Sequence, residues 1–403
     1  MTSVCIYFQV HQPFRMTNYR VFDIGKHANY FDEKKNEEIT KKVAAKCYLP
    51  ANKLMLDLIA KTNGKFKIAY SISGTALEQF ERYAPEVIES FKELAKTGCV
   101  EFLGETYYHS LSFLYSQKEF EEQVKKHDKK IKELFGQRPR VFRNTELIYN
   151  NELGKFAEKM GYKAVLAEGW DRILEWRSPN FVYMPVGTKK IKLLLKNYKL
   201  SDDIAFRFSN RDWVEWPLTA EKFAAWISAI QGQTINLFMD YETIGEHQWE
   251  ETGIFDFLKC LPFELLKYSH IEFKTPSEVA DMDAVATLDI PNTISWADME
   301  RDLSAWTGNK MQQSALQELY KLESAIKKSS DKKLLEDWRK LQTSDHFYYM
   351  CVKYFSDGDV HKYFNPYDTP YESYIAFMNI LNDLAIRIKK TPAKGLFSRL
   401  LRK

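Results

Sequence analysis

INLFMDYETIGEHQW, residues 235–249, is the stretch whose reading decides the fold of this 403-residue chain. Ile235 to Met239 form a nearly unbroken apolar run, as in a strand covered on both faces. The run ends on Asp240, and polar side chains crowd the positions after it: Glu242, Glu246, His247 and Trp249. FRNTELIYNN (142–151) repeats the arrangement, with Glu146 just past the apolar run at 140–142. Two buried-looking runs that end on acids have a plain explanation in separate ion pairs or helix caps. They also have a chemical one, in which both carboxylates act on one substrate.

Further short runs of the same kind occur on either side: VCIYFQV (4–10), KIAYSIS (67–73), CVEFLG (99–104), KAVLA (163–167) and IEFK (271–274). Helical patterns lie between them, among them ALEQFERYAPEVIESFKELAKTG (76–98) and SQKEFEEQVKKHDKKIKELFG (116–136). The second opens on a Ser116-x-x-Glu119 capping box and closes on Gly136. Alternation of apolar strands with amphipathic helices predicts an α/β fold, a parallel sheet wrapped by helices. Seven such strands suggest a barrel. KKIKLLLKNY (189–198) reads either as an eighth strand or as half of a hairpin with FVYMPV (181–186). After about residue 290 strand signals fade, and three helical stretches succeed them at 312–328, 331–355 and 371–390, then a basic tail at 390–403. The expected division is a catalytic barrel over 1–290 and a C-terminal helical domain over 291–403.

In a β/α barrel all strand C-termini open on one face, where sites are built. The polar positions just past the strand ends are, in chain order, His11 and Gln12; Gly74 and Thr75; Glu105, Tyr107 and His109; Arg143, Asn144 and Glu146; Glu168, Trp170 and Asp171; Asp240, Glu242, Glu246, His247 and Trp249; Thr275 and Glu278. Carboxylates, aromatic rings and hydrogen-bonding His or Arg on one rim are what a sugar-cleaving pocket requires. Singly, each has a duller reading. Thr275 suits a helix cap, Glu242 and Glu246 suit ion pairs, and His11 suits a satisfied core histidine.

Composition narrows the classes. Hydrophobic residues make up 45% and charged residues 28%, as in an ordinary globular chain, and the formal charge of +3 gives no field for nucleic acid or a membrane surface. Aromatics reach 15%, a surplus that suits stacking on sugar faces. The five scattered cysteines contain no CxxC and read as reduced thiols. With no basic, cleavable leader and no 18-residue apolar run, the expected location is cytoplasmic. GEHQW resembles a zinc motif only in its letters, since HExxH needs His before Glu. No nucleophile elbow, phosphate loop or dinucleotide fingerprint occurs. The expectation is therefore no metal and no cofactor.

Five segments in order, HQP (11–13), GETYYHS (104–110), FRNTELIYNN (142–151), MDYETIGEHQW (239–249) and TPSEVAD (275–281), resemble the motif regions of glycoside hydrolase family 57, in particular its α-amylase-like members. ISWADMERDLSAWTGNKMQ (294–312) extends the resemblance. It implies an incomplete (β/α)7 barrel with a C-terminal helical domain and a retaining mechanism. Glu146 then corresponds to the nucleophile and Asp240 to the acid/base. His11, Glu105 and His109 correspond to pocket residues, joined by Trp249, Trp296, Asp298 and Trp306; the rim adds Trp170 and His247. The implied partner is an α-glucan or maltooligosaccharide. Arg143 and Asn144 are expected to hydrogen-bond Glu146 and hold it ionised. Asp240 has to keep its proton, above the ordinary Asp value of about 3.9. Hydrolysis, 4-α-glucanotransfer and branching all use such a pair, and branching members are typically longer. Two readings from other classes are a metal-dependent carbohydrate hydrolase or deacetylase and a non-catalytic glucan-binding protein.

Overall fold

The computed structural model describes residues 1–353 and 365–390, and the basic tail beyond 390 lies outside them. Packing divides the chain into two units. The first comprises Met1–Gln12, Glu37–Tyr107 and Val124–Trp296; the second comprises Pro13–Asn36, Tyr108–Gln123 and Ala297–Lys403. The division therefore falls six residues after the expected one, and the helical unit also takes in two earlier segments.

The first unit is a barrel. Its strands are β1 (Thr2–Val10), β2 (Ile68–Ile72), β3 (Val100–Phe102), β4 (Val141–Arg143), β5 (Ala164–Glu168), β6 (Tyr183–Pro185), β7 (Lys192–Lys196), β8 (Thr234–Asp240), β9 (Ile271–Phe273) and β10 (Ala286–Leu288). Parallel ladders run β3–β2–β1–β8 and β4–β5–β7. Gly104 joins the two sheets at one seam: its N–H donates to Val141 O (2.9 Å) and its carbonyl accepts from Arg143 N–H (2.8 Å). At the other seam Asn197 N–H donates to Asn236 O (2.9 Å), and the Asn236 amide donates to Leu195 O (2.8 Å). Seven staves thus close as β1–β2–β3–β4–β5–β7–β8, with a side chain mending the last gap.

This settles which strands are staves. Residues 192–196 do both things expected of them, pairing antiparallel with β6 at Tyr183–Leu193 and parallel with β5. IEFK, expected as a stave, is not a full one. β8 occupies one edge of β1 from Ser3 to Gln9, and β2 takes Tyr7–Val10 on the other, so β9 is confined to Thr2–Val4.

Alternation along the staves sorts side chains. Val4, Ile6, Phe8, Val10, Ile68, Tyr70, Val100, Phe102, Ile235 and Leu237 pack outward against the helices. Cys5, Tyr7, Ala69, Leu103, Val141, Ala164, Leu166, Leu194 and Phe238 fill the lumen. Four cysteines are buried free thiols and Cys260 is exposed. Helix boundaries obey the expected local chemistry. Ser116 Oγ accepts from Glu119 N–H (3.2 Å), and Gly136 adopts φ +71° just after the helix Gln117–Phe135. Thr275 and Glu278 form a reciprocal capping box, so Thr275 is a cap.

The second unit is helical. Trp338 is fully buried and its indole N–H donates to Leu319 O (2.8 Å). Asp383, in the helix Pro370–Lys390, accepts from Tyr30 OH, from Arg387 Nε and from Gly25 N–H. These partners, the tyrosine first, hold its carboxyl below the ordinary aspartate range against the opposing effect of burial. A depressed folded value means stability that is present above the unfolded value of about 3.9 and is lost as pH falls through the folded one. Asp383→Asn is expected to destabilise this unit by about 2–4 kcal/mol at pH 7, with a smaller deficit in acid, as measured by urea unfolding at both pH values. An equal deficit at both would remove the ionic account.

Candidate active site

The lumen rows run on into polar positions at the C-terminal mouth of the barrel. β1 continues to Gln9 and His11, β2 to Ser71 and Ser73, and β3 to Glu105. β4 ends on Arg143, β5 on Glu168, β7 on Lys196 and β8 on Asp240. Apolar layers below and ionisable ones above arise from a single parity. A residue two places beyond the last lumen hydrophobe must point to the same space.

These groups meet. Glu105 is fully buried and accepts from Gln9 Nε2 (3.1 Å) and from Ser71 Oγ; Gln9 in turn accepts from Tyr7 OH (2.7 Å). Burial drives the Tyr7 phenol far above its ordinary range, Glu105 and Asp240 push it the same way, and Arg143 opposes them. One lumen tyrosine therefore senses residues from β3, β4 and β8. Gln9 stands opposite Asp240 in the β1–β8 register. His11 Nδ1 lies 2.7 Å from Ser73 Oγ, so His11 is a positioned ring rather than a loose one.

Glu146 sits in the tight turn Thr145–Leu147 just past β4, at φ +58° and ψ 25°, with Leu147 at φ +50°. Non-glycine residues in this left-handed region cost roughly 1–3 kcal/mol each and persist only where neighbours fix them. Trp296 is the fixing group. Its backbone N–H donates to Glu146 O (3.2 Å) and its indole Nε1–H to Glu146 Oε2 (2.8 Å). Two residues earlier, Ile294 pairs with Tyr149 in both directions at 2.9 Å. Trp296, expected among the pocket residues, thus holds the carboxylate directly. The Arg143 guanidinium lies 4.7 Å and the Lys196 ammonium 5.4 Å from the centroid of its ring.

The expectation that Arg143 and Asn144 hydrogen-bond Glu146 is corrected. Arg143 is wholly buried, yet Nε, Nη1 and Nη2 have no hydrogen-bond partner among the described residues. Asn144 donates instead to Ile148 O (3.0 Å), closing the turn. Adjacent residues on a strand point to opposite sides, so Arg143 and Asn144 were unable to serve one acceptor together.

Beside Asp240, Glu242 is buried and accepts from Tyr48 OH and from His11 N–H (3.4 Å). Burial first, and the negative charge of Asp240 second, push its carboxyl up to about 8. Among the described residues it pairs with no Lys or Arg, unlike Glu246, which takes Lys42. The sequence placed Glu242 on the rim, with an ion pair as its duller reading, and gave it no role in the site. The signal that could have marked it is its two-residue spacing from Asp240. Lys196 was missed altogether. It is 4% exposed and pairs with Asp202 (3.0 Å) and Glu168 (3.8 Å). A lysine closing the apolar run IKLLLK was the available sign.

Of the other expected residues, Trp170 is half-buried beside Arg172 (5.5 Å). His247 is pushed down to about 4 by burial and by the Lys42 cation, which keeps its ring neutral. Trp249 is 56% exposed, 5.9 Å from the Lys46 ammonium. His109, Asp298 and Trp306 belong to the helical unit. There His109 is buried at φ +49° and its carbonyl accepts from Ser344 N–H (2.9 Å). Asp298 lies 3.4 Å from Lys353, and Trp306 is 1% exposed beside Tyr348. Among the described residues no three His, Cys, Asp or Glu side chains gather as a metal would require, and no helix is long and apolar enough to cross a membrane.

Comparison with known proteins gives a consistent result. The sequence model described as Glycosyl hydrolase family 57 matches residues 5–293. A protein of Methanocaldococcus jannaschii provisionally named an alpha-amylase is 46% identical over 97% of this chain and 86% of its own length. Among crystal structures, a GH57-type branching enzyme from Pyrococcus horikoshii superposes with a TM-score of 0.69 at 16% identity, over 96% of this chain and 91% of that one. A 4-alpha-glucanotransferase from Thermococcus litoralis gives 0.58 at 15% identity, over 90% of this chain and 54% of that chain, so this protein spans about half its length. At such identities the likeness shows the fold alone. The two coverages make this chain and that branching enzyme similar in length.

Proposed function

Because the chain belongs to glycosyl hydrolase family 57, we propose that this glycoside hydrolase cleaves α-1,4-glucans with retention, Glu146 attacking the anomeric carbon and Asp240 serving as acid and then base. The observation that carries the reading is the arrangement of two acids at one barrel mouth. One is held in a strained turn by an indole N–H, and the other is coupled to a buried acid that titrates at about 8. Their settings suit opposite protonation states. Glu146 has a donor that favours its charged form. Asp240 and Glu242 are like charges in a buried space, and each opposes ionisation of the other. That is the division of labour a retaining glycosidase needs.

In the first step Asp240 protonates the glycosidic oxygen while a Glu146 oxygen bonds to C1 and the C1–O bond breaks. The leaving chain departs carrying the proton, and a glycosyl ester remains on Glu146. In the second step Asp240 takes a proton from water or from a sugar hydroxyl as that oxygen attacks C1, releasing Glu146. Water gives hydrolysis, and the 4-hydroxyl of a second chain gives transfer. The α-amylase name of the 46% identical relative favours water. The unpaired thiols fit a cytoplasmic setting.

Maltoheptaose incubated with the enzyme, with products followed by proton NMR in the first minutes and then resolved by size, tests this reading. New reducing ends are expected to appear as the α-anomer, with shortened chains predominating. Initial β-anomer overturns retention, a ladder longer than seven units shifts the assignment to glucanotransfer, and 1,6-linked signals shift it to branching.

A further inference from the structure

Of the buried charged side chains Lys196, Glu105, Glu242 and Arg143 at the barrel mouth, all but one have an ion-pair or hydrogen-bond partner among the described residues. Lys196 is committed to Asp202 and Glu168. Glu105 is satisfied by Gln9 and Ser71, and Glu242 by Tyr48 and His11. Arg143 is wholly buried and forms no ion pair and no hydrogen bond from any guanidinium nitrogen among the described residues. It acts electrostatically on Tyr7 and lies 4.7 Å from the Trp296 ring, and the same ring donates its N–H to Glu146 Oε2 at 2.8 Å. A desolvated guanidinium is costly unless it compensates negative charge nearby. The charged groups that face this space are Glu105 from β3, Glu146 after β4, Glu168 from β5, Lys196 from β7 and Asp240 with Glu242 from the end of β8. Tyr7 and His11 from β1, Asp202 against Lys196 and Tyr48 against Glu242 are further titratable groups there. Acids outnumber cations among them, and Arg143 is the cation not already spent on a close carboxylate.

Resting on the assignment of Glu146 as nucleophile, we infer that Arg143 is a positioning residue that keeps Glu146 ionised, acting across the Trp296 indole rather than by touching the carboxylate. The indole serves both. Its face takes the guanidinium, its edge N–H takes the carboxylate, and a cation over the ring polarises that N–H toward a stronger donor. The left-handed turn keeps Glu146 on the edge side, where the guanidinium cannot reach it and neutralise it as a nucleophile in a closed ion pair. The arrangement supplies the field of a salt bridge and leaves the carboxylate oxygens open to the substrate.

The test is the pH dependence of kcat/KM on maltoheptaose for Arg143→Met, Arg143→Gln and Arg143→Lys, with thermal midpoints recorded alongside. The acidic limb, where Glu146 takes up its proton, is expected to move up by about one unit or more in the Met and Gln variants, because an opposite charge nearby is worth about 1–3 units. Activity one unit below the wild-type limb then falls about tenfold further than activity on the plateau. Arg143→Lys keeps the charge, and its limb is expected to stay within about half a unit of wild type. A merely structural role lowers the plateau or the thermal midpoint and leaves the limb in place in all three, which overturns the inference. So does a limb that moves as far in Lys as in Gln. If the two neutral variants fail to fold, Trp296→Phe, which removes the N–H between guanidinium and carboxylate, is read beside Arg143→Lys: a limb that moves up in Phe and stays in Lys supports the inference, and one that stays in Phe or moves in Lys overturns it. The nucleophile assignment fails on a different result, retained turnover after Glu146→Ala.

Discussion

Glu146→Ala is expected to lower kcat on maltoheptaose by about 10^4-fold or more, the scale on which loss of a nucleophile acts when the rest of the site is intact. That corresponds to about 5.5 kcal/mol of barrier. The loss is chemical rather than structural, because Leu147 keeps its lumen packing and the backbone bond from Trp296 N–H to residue 146 does not need the carboxylate. Alanine at φ +58° stays strained, so the thermal midpoint is expected to fall by only a few degrees. Azide should restore turnover. It enters the vacated space, attacks C1 on the face that Glu146 used, and expels the leaving chain, which takes its proton from Asp240. The product is then a β-glycosyl azide, the opposite anomer to that of the normal reaction. Rapid hydrolysis by this variant without azide, at more than about one-tenth of the wild-type rate, would remove Glu146 from the mechanism.

How much of this was legible beforehand divides along physical lines. Strand parity is local, and Phe238 and Asp240 share a face because they are two residues apart. The inward aim of Asp240 was therefore readable from 235–240 alone. Stave count was less so. IEFK has the composition of a stave, but its place depends on how much of one β1 edge β2 leaves open, a contest between residues more than sixty apart in sequence. KKIKLLLKNY carries four lysines and a mixed pattern, yet β7 is buried because Asp202 and Glu168 neutralise Lys196 inside the mouth. The partner of Glu146 was the least legible. Adjacency made Arg143 and Asn144 look like its donors, whereas the donor is an indole 150 positions away, brought there by the pairing of Ile294 with Tyr149. Proximity in sequence favours neighbours, while the geometry of a strained turn turns their side chains elsewhere.

Asp240→Asn is expected to lower kcat on maltooligosaccharides by about 10^2–10^4-fold, the span typical of a general acid/base. Asparagine matches the aspartate in shape, so the β1–β8 ladder opposite Gln9 should be undisturbed. The effect depends on the leaving group, which separates this role from the nucleophile's. An α-maltosyl fluoride departs without protonation, so its first step should remain fast. The glycosyl-enzyme then accumulates as a burst, since water still lacks a base. Azide needs no deprotonation and should resolve the intermediate as the α-glycosyl azide, the anomer opposite to that expected from Glu146→Ala. A fluoride substrate slowed as severely as maltoheptaose, with no burst and no azide product, would deny Asp240 the acid/base role. The neighbouring acid sets the pH at which this chemistry ends. Burial and the charge of Asp240 push the Glu242 carboxyl up to about 8, and such coupling acts in both directions, so a charged Glu242 opposes ionisation of Asp240. In Glu242→Gln the shared negative charge is gone and Asp240 releases its proton more readily. The alkaline limb of kcat/KM should then move down by about one unit while the acidic limb, which belongs to Glu146, stays where it is. Movement of the acidic limb instead would mean that the two carboxylates have each been given the other's part.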